Sequence, residues 1–91
     1  MLPEMRVKVA KRYRFEDPEA AGEVFQDRAV SLIRQMNKHS YEAAAELVAL
    51  AAECLDRHEG KGTGTLYVNE IRAEHRRKRN FLAALDARGL R

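Results

Sequence analysis

The stretch SYEAAAELVALAAECLDRHEG, residues 40–60, constrains the fold more than any other part of the sequence. Its charged residues fall mainly on a narrow helical stripe through Glu42, Glu46, Glu53 and Arg57, and most of the others are Ala, Leu, Val, Tyr or Cys. A helix that is apolar around most of its circumference needs neighbours on more than one side. The many alanines allow those neighbours to approach closely. We therefore expect this helix to lie between other helices.

A second helix is predicted over residues 16–37. Asp17 can cap it, Pro18 suits its first helical position, and Gly22 permits a close neighbour. Its apolar residues recur every three or four positions, as an amphipathic helix requires. They are Ala21, Val24, Phe25, Ala29, Leu32, Ile33 and Met36.

Ser40 is the expected N-cap of the alanine-rich helix, and Gly60 is its expected end. The following GKGTGT turn fails as a phosphate-binding P-loop, because its lysine lies between glycines and follows a helix rather than a strand. We read it as a flexible helix–helix connection. A last continuous helix is predicted from about Thr65 to Asp86.

Residues 5–15, MRVKVAKRYRF, fit two templates. Apolar and basic residues alternate as in a strand, but Met5, Val9 and Tyr13 also share one helix face. A lone strand would have no partner in this chain, so we favour a short helix.

Residues 1–91 are therefore predicted to form one all-α domain of three to four antiparallel helices, a TPR-like helical hairpin or α-solenoid fragment. The length permits one modest core. We expect it to include Phe25, Ala29, Leu32, Tyr41, Ala44, Leu47, Val48, Ala51, Leu55, Ile71 and Leu82.

The sequence gives little support for a metal site or for a catalytic nucleophile. Cys54 and His58 share a helix face, and His39 and His75 occur elsewhere, but zinc needs three or four ligands and no CxxC or HxxxH motif is present. Nothing resembles a nucleophile with an adjacent base. We expect no enzyme, no cofactor and no metal. The absence of a long apolar run or a signal-peptide pattern predicts a cytoplasmic protein that does not bind membranes.

Four basic residues follow one another in the last predicted helix. Projected at about 100° per residue, Arg76 and Arg79 share a ridge with Arg72, whereas Arg77 lies on the far flank. Lys78 points toward the apolar stripe, where its ammonium would reach Glu74, one turn earlier. Most such runs are solvated helix faces. The alternative is sequence-independent, salt-sensitive binding of nucleic acid by the Arg72, Arg76 and Arg79 ridge, extended by Lys8, Lys11, Arg12 and Arg14.

Lys78 would also separate the last apolar residues from the rest of the stripe. We therefore expect Phe81, Leu82 and Leu85 to form an exposed partner-binding patch rimmed by Arg77 and Arg79.

Two stretches, SYEAAAELVALAAECLDRH and LYVNEIRAEHRRKRNFLAALD, resemble the C-terminal helical region of SWIM zinc-finger-family proteins. The resemblance covers residues 19–90. It implies a TPR-like array that packs against or recruits other proteins, and a chain that is either the C-terminal module of a longer protein or a stand-alone relative. It does not imply zinc, because the CxCx…CxH pattern is missing. The predicted function is a non-enzymatic interaction or scaffold module that binds a protein partner or self-associates as a homo-oligomer.

Overall fold

The computed structural model describes residues 2–90, and it contains five helices and no strand within that range. The all-α prediction is confirmed, with one helix more than the predicted three to four. The helices are α1 (Pro3–Tyr13), α2 (Pro18–Gln35), α3 (Lys38–Glu59), α4 (Thr63–Glu74) and α5 (Arg79–Ala87).

An antiparallel hairpin of α2 and α3 forms the centre of the molecule and has the largest helix–helix interface. Asp17 caps α2 as predicted, accepting a hydrogen bond from the Ala20 N–H, and Pro18 is the first helical residue. An added Cβ at Gly22 would lie 3.2 Å from the Cβ of Cys54. The predicted close approach at Gly22 is therefore confirmed.

The start of α3 differs from the expectation. Asn37, not Ser40, is its N-cap, and the Asn37 side chain accepts a hydrogen bond from the Ser40 N–H at 2.9 Å. Ser40 is buried inside the first turn of α3, where its hydroxyl donates to Gln35 at 2.7 Å. The hydroxyl thus ties the two arms of the hairpin together. Gly60 follows the last residue of α3, as predicted.

Neighbouring helices cover α3 on two sides. It packs against α2 on one side and against α4 and α5 on another. The predicted charged stripe stays toward solvent, since Glu42, Glu53 and Arg57 are exposed and Glu46 is half-exposed. The apolar circumference of the sequence therefore predicts the position of α3 correctly.

Residues 5–15 are mostly helical, which confirms the helix and excludes the strand. α1 lies against α2 as an outer layer, and Ala10 is its one fully buried side chain within the described residues. Met5 and Val9 point outward, although Tyr13 is partly buried.

The predicted last helix is wrong as a single element. α4 ends at Glu74, residues 75–78 form a turn, and α5 begins at Arg79. A continuous helix would place Lys78 in the middle of the apolar stripe. The turn instead lets the chain change direction, so that the apolar residues of both helices reach α3.

The core contains most of the expected residues. Leu55 and Leu82 are only partly buried, whereas the other nine are buried. The core also includes residues not on the predicted core list: Ala10, Ala21, Ile33, Ala45, Cys54, Val68, Phe81 and Leu85. No helix within residues 2–90 is both long and apolar enough to cross a membrane.

Candidate interaction surfaces

The predicted exposed patch at the end of the chain does not exist as a surface. Phe81 and Leu85 have no exposed area, and Leu82 is partly buried. The Phe81 ring packs against Tyr41 of α3, with ring centroids 5.6 Å apart. The prediction failed because it assumed one continuous helix. Arg77 and Arg79, its predicted rim, are exposed.

The predicted ridge of arginines is also divided. Arg72 is held within the chain, where one of its guanidinium nitrogens donates to the Asp86 carboxylate at 2.9 Å and to the Leu90 carbonyl at 3.0 Å. Arg76 lies in the turn and Arg79 is the first residue of α5. The structure therefore removes Arg72 from the candidate nucleic-acid surface.

The turn gathers a different set of cations. Arg76, Arg77 and Arg79 are exposed, Lys78 is half-buried, and within residues 2–90 none of the four has a carboxylate partner. The predicted contact from Lys78 to Glu74 is accordingly not formed in the described part of the chain. We call Arg76, Arg77 and Arg79 the arginine turn.

His75 opens the arginine turn. Its ring meets the Phe81 ring edge-on, with centroids 5.6 Å apart, and its Nδ1 atom is buried with no hydrogen-bond partner among the described residues. Burial lowers the pKa of His75, and Lys78 adds to the lowering, while Glu74 opposes it. The imidazole is therefore held in its neutral form more strongly than a solvated histidine.

The second candidate surface is the outward side of α1. Met5 and Val9 are 53 and 45 % exposed and lie one turn apart on one side of α1, and Leu2, the N-cap residue before the helix, is 65 % exposed. Arg6 is exposed on one side of these apolar residues, and Lys8 and Arg12 are exposed on the opposite side. We call these six residues the α1 face.

Some charged residues of α1 are paired with the hairpin and others are not. Those turned toward the hairpin are paired: Glu4 with Arg28 of α2 at 3.2 Å, and Lys11 with Glu46 of α3 at 3.5 Å. The three cations of the α1 face have no such partner within residues 2–90. Two such ion pairs add only about 0–1 kcal/mol each, so their main consequence is that Arg6, Lys8 and Arg12 are the unpaired charges of α1 among the described residues.

A groove of about 380 Å³ adjoins the α1 face, between α1 and the α2–α3 hairpin. Its apolar lining comes from Val7, Leu32, Ala43 and Leu47, and Met5 stands at its edge. Met5 therefore connects the outward apolar line to an apolar recess.

The Gly-rich connection is ordered by Asp56, which was not identified from the sequence. One oxygen of its carboxylate accepts hydrogen bonds from the N–H groups of Gly62 at 3.0 Å and Gly64 at 2.8 Å. Gly60 and Gly62 have φ values of +114° and +100°, a region that favours glycine. The predicted flexible loop is therefore a defined turn.

Cys54 and His58 border a cleft of about 250 Å³ between α2 and α3. Burial raises the pKa of the Cys54 thiol, and Glu53 raises it further. A thiol held in its protonated form is a poor nucleophile. The Nε2 atom of His58 lies 3.9 Å from Oε1 of Glu19 and 3.8 Å from Oε1 of Glu59, which is an ion-pair arrangement when the ring is protonated.

Within residues 2–90 no group of three or more His, Cys, Asp or Glu residues is placed to hold a metal ion. His39 and His75 lie on other elements and do not join Cys54 and His58 at this cleft. The structure therefore does not bring together the four residues that the sequence singles out as potential ligands.

Comparison with known proteins adds no relative. The chain matches no protein-family model, and searches of the curated proteins and of the solved structures find no match. The resemblance to the SWIM zinc-finger family stays a prediction carried by the quoted residues.

Proposed function

We propose that this chain is a non-enzymatic helical interaction module that binds an acidic protein partner through the α1 face. The observation that supports this function best is the exposure of Met5 and Val9 on one side of an outer helix, with exposed Leu2 at its N-cap. Apolar residues spaced at i, i+3 and i+7 are the anchors with which a helix enters a partner's groove.

The charges on the α1 face favour an acidic partner. Arg6, Lys8 and Arg12 are exposed, and the carboxylate nearest to them on α1, that of Glu4, is paired with Arg28 of α2. Pairing the α1 faces of two copies would bring six cations together, so self-association through this face is disfavoured. A partner that covers the apolar line and carries carboxylates at its rim would gain from both contacts.

The proposal is tested with a charge inserted into the apolar line. The wild-type chain is cross-linked in cells and purified together with its bound partner. The double variant Met5→Glu/Val9→Glu should no longer recover that partner. The matched control is Leu66→Glu, because Leu66 is 64 % exposed on α4, away from the α1 face. Circular dichroism of each variant checks that the helices remain.

Sedimentation velocity of the purified chain completes the test. We expect a monomer at all concentrations used, and we expect the Leu66→Glu control to recover the wild-type partner. Recovery of the same partner by the α1 double variant would contradict the proposal, as would a wild-type chain that cross-links to nothing.

A further inference from the structure

We infer that the arginine turn binds the phosphate backbone of nucleic acid, independently of base sequence. This goes beyond the proposed function, since it concerns a different surface and a different class of ligand. The observations that carry it are the exposure of Arg76, Arg77 and Arg79 and their shared lack of an acidic partner within residues 2–90.

The break between α4 and α5 creates this surface. On a continuous helix Arg77 would point away from Arg76 and Arg79, whereas in the structure Arg76 and Arg77 lie in the turn, Arg79 begins α5, and all three are exposed. Arg72 differs, because its guanidinium group donates hydrogen bonds to the Asp86 carboxylate and the Leu90 carbonyl. The arginine turn is the contrasting case of guanidinium groups left to solvent.

The surroundings of the arginine turn favour a hydrated polyanion over an apolar partner. Phe81 and Leu85 are buried, and the exposed neighbours on α5 are Asn80 and Ala83. The arrangement therefore lacks the exposed apolar line that marks the α1 face. A membrane surface or a protein groove would gain little apolar contact here, whereas phosphate groups need only charge and hydrogen-bond donors.

Arginine suits this ligand because its planar guanidinium forms two parallel hydrogen bonds to phosphate oxygens. Nothing in the arginine turn reads base edges, so the contact is electrostatic. Binding of this kind has dissociation constants of about 10⁻⁴–10⁻⁶ M and depends steeply on salt. With three phosphate contacts, the slope of log K against log salt is about −2.7, which weakens binding about 40-fold between 50 and 200 mM salt.

The test is fluorescence anisotropy with two labelled 20-base-pair DNA duplexes of unrelated sequence, titrated with the full chain at 50 and 200 mM salt. The wild type should bind both duplexes equally and show the salt slope given above. Arg76→Gln/Arg77→Gln/Arg79→Gln should lose about 30-fold or more of the affinity at 50 mM salt and most of the slope.

Two controls decide whether the site is correct. Arg88→Gln removes another exposed cation, beyond the far end of α5, and should keep the wild-type slope. Arg6→Gln/Lys8→Gln/Arg12→Gln removes the cations of the α1 face and should leave at least half of the slope. Vesicles that contain one-third phosphatidylserine are the second ligand. Their affinity for the triple arginine-turn variant should be no lower than their affinity for the wild type.

Three results would overturn the inference: no binding of the wild type at 50 mM salt, undiminished binding by the arginine-turn variant, or loss of binding in the α1 variant alone. If the triple variant loses helicity, the three single variants decide. Each should lower the salt slope by about 1, and unchanged slopes in all three would overturn the inference equally.

Discussion

One carboxylate oxygen of Asp56 accepts a hydrogen bond from the backbone N–H of Gly64 at 2.8 Å, and this contact fixes where α4 starts against α3. The same oxygen also binds the Gly62 N–H, so a single acidic side chain orders the whole connection. The first N–H groups of a helix have no partner within the helix itself. Asp56 supplies that partner from the preceding helix.

Gly64→Ala should destabilise the domain severely. A Cβ at this position would clash with the backbone carbonyl of Ala52, which cannot move without displacing α3. We expect a loss of about 3 kcal/mol or more, since backbone clashes in a packed core belong to the most costly substitutions. Urea unfolding followed by circular dichroism measures it. Equal stability of Gly64→Ala and wild type would mean that α4 does not approach α3 as described.

Asp56→Ala should cost about 1–3 kcal/mol, because two backbone N–H groups lose a charged acceptor. Asp56→Asn is the matched control, since its amide oxygen still accepts hydrogen bonds, and its loss should be clearly smaller. Amide hydrogen exchange at Gly62 and Gly64 should accelerate in the alanine variant. Unchanged exchange there would show that Asp56 does not hold the turn.

Phe81→Ala tests whether the last aromatic residue belongs to the core. Truncating a buried phenylalanine costs about 3–5 kcal/mol, a large part of the stability of a domain this small. Leu66→Ala, at an exposed position on α4, should change the free energy of unfolding by less than about 0.5 kcal/mol. A Phe81→Ala variant as stable as Leu66→Ala would restore the exposed-patch interpretation.

His75 should make folding sensitive to mild acid. Its pKa in the folded chain lies below the ordinary value of 6.5, so above that pH the ring is neutral in both the folded and the unfolded states. As the pH falls below 6.5, the unfolded chain takes up the proton more readily, and stability is lost.

The melting temperature should therefore fall more for wild type than for His75→Gln between pH 7.5 and pH 5. His39→Gln, at an exposed histidine, should follow the wild-type curve. Parallel curves for His75→Gln and wild type would contradict the burial of this ring.

Patterns within one helix predict much of this fold. The Asp17–Pro18 start of α2, the apolar circumference of α3 and its end at Gly60 are all set by neighbours a few residues away, so the sequence predicts them correctly. Ser40 is a good N-cap by sequence, but Asn37 satisfies the same requirement three residues earlier. Two good capping residues three positions apart are hard to separate without the tertiary contact from Ser40 to Gln35.

The break at residues 75–78 could not be predicted in the same way. No glycine or proline marks it, and each half of the stretch reads as a good helix. What decides it is long-range packing of Phe81 against Tyr41, 40 residues earlier in the chain. One signal was present: Lys78 in the middle of an apolar stripe, which a continuous helix would have to accommodate.

The candidate surfaces, too, depend partly on local sequence and partly on long-range packing. Arg76, Arg77 and Arg79 were recognisable as basic residues, but their exposure at one turn depends on the break. Met5 and Val9 were recognisable as a helix face, but only the position of α1 against α2 shows that this face points outward.

The broken last helix determines both the core and the arginine turn, and backbone NMR tests it most directly. We predict positive ¹³Cα secondary shifts over residues 63–74 and 79–87, interrupted by clearly lower values at His75 and Lys78, whose backbone angles (φ −109°, ψ 26° and φ −92°, ψ 78°) are not helical. An uninterrupted run of helical shifts from residue 63 to residue 87 would contradict the structure described here. It would return Phe81 to the surface and separate Arg77 from Arg76 and Arg79.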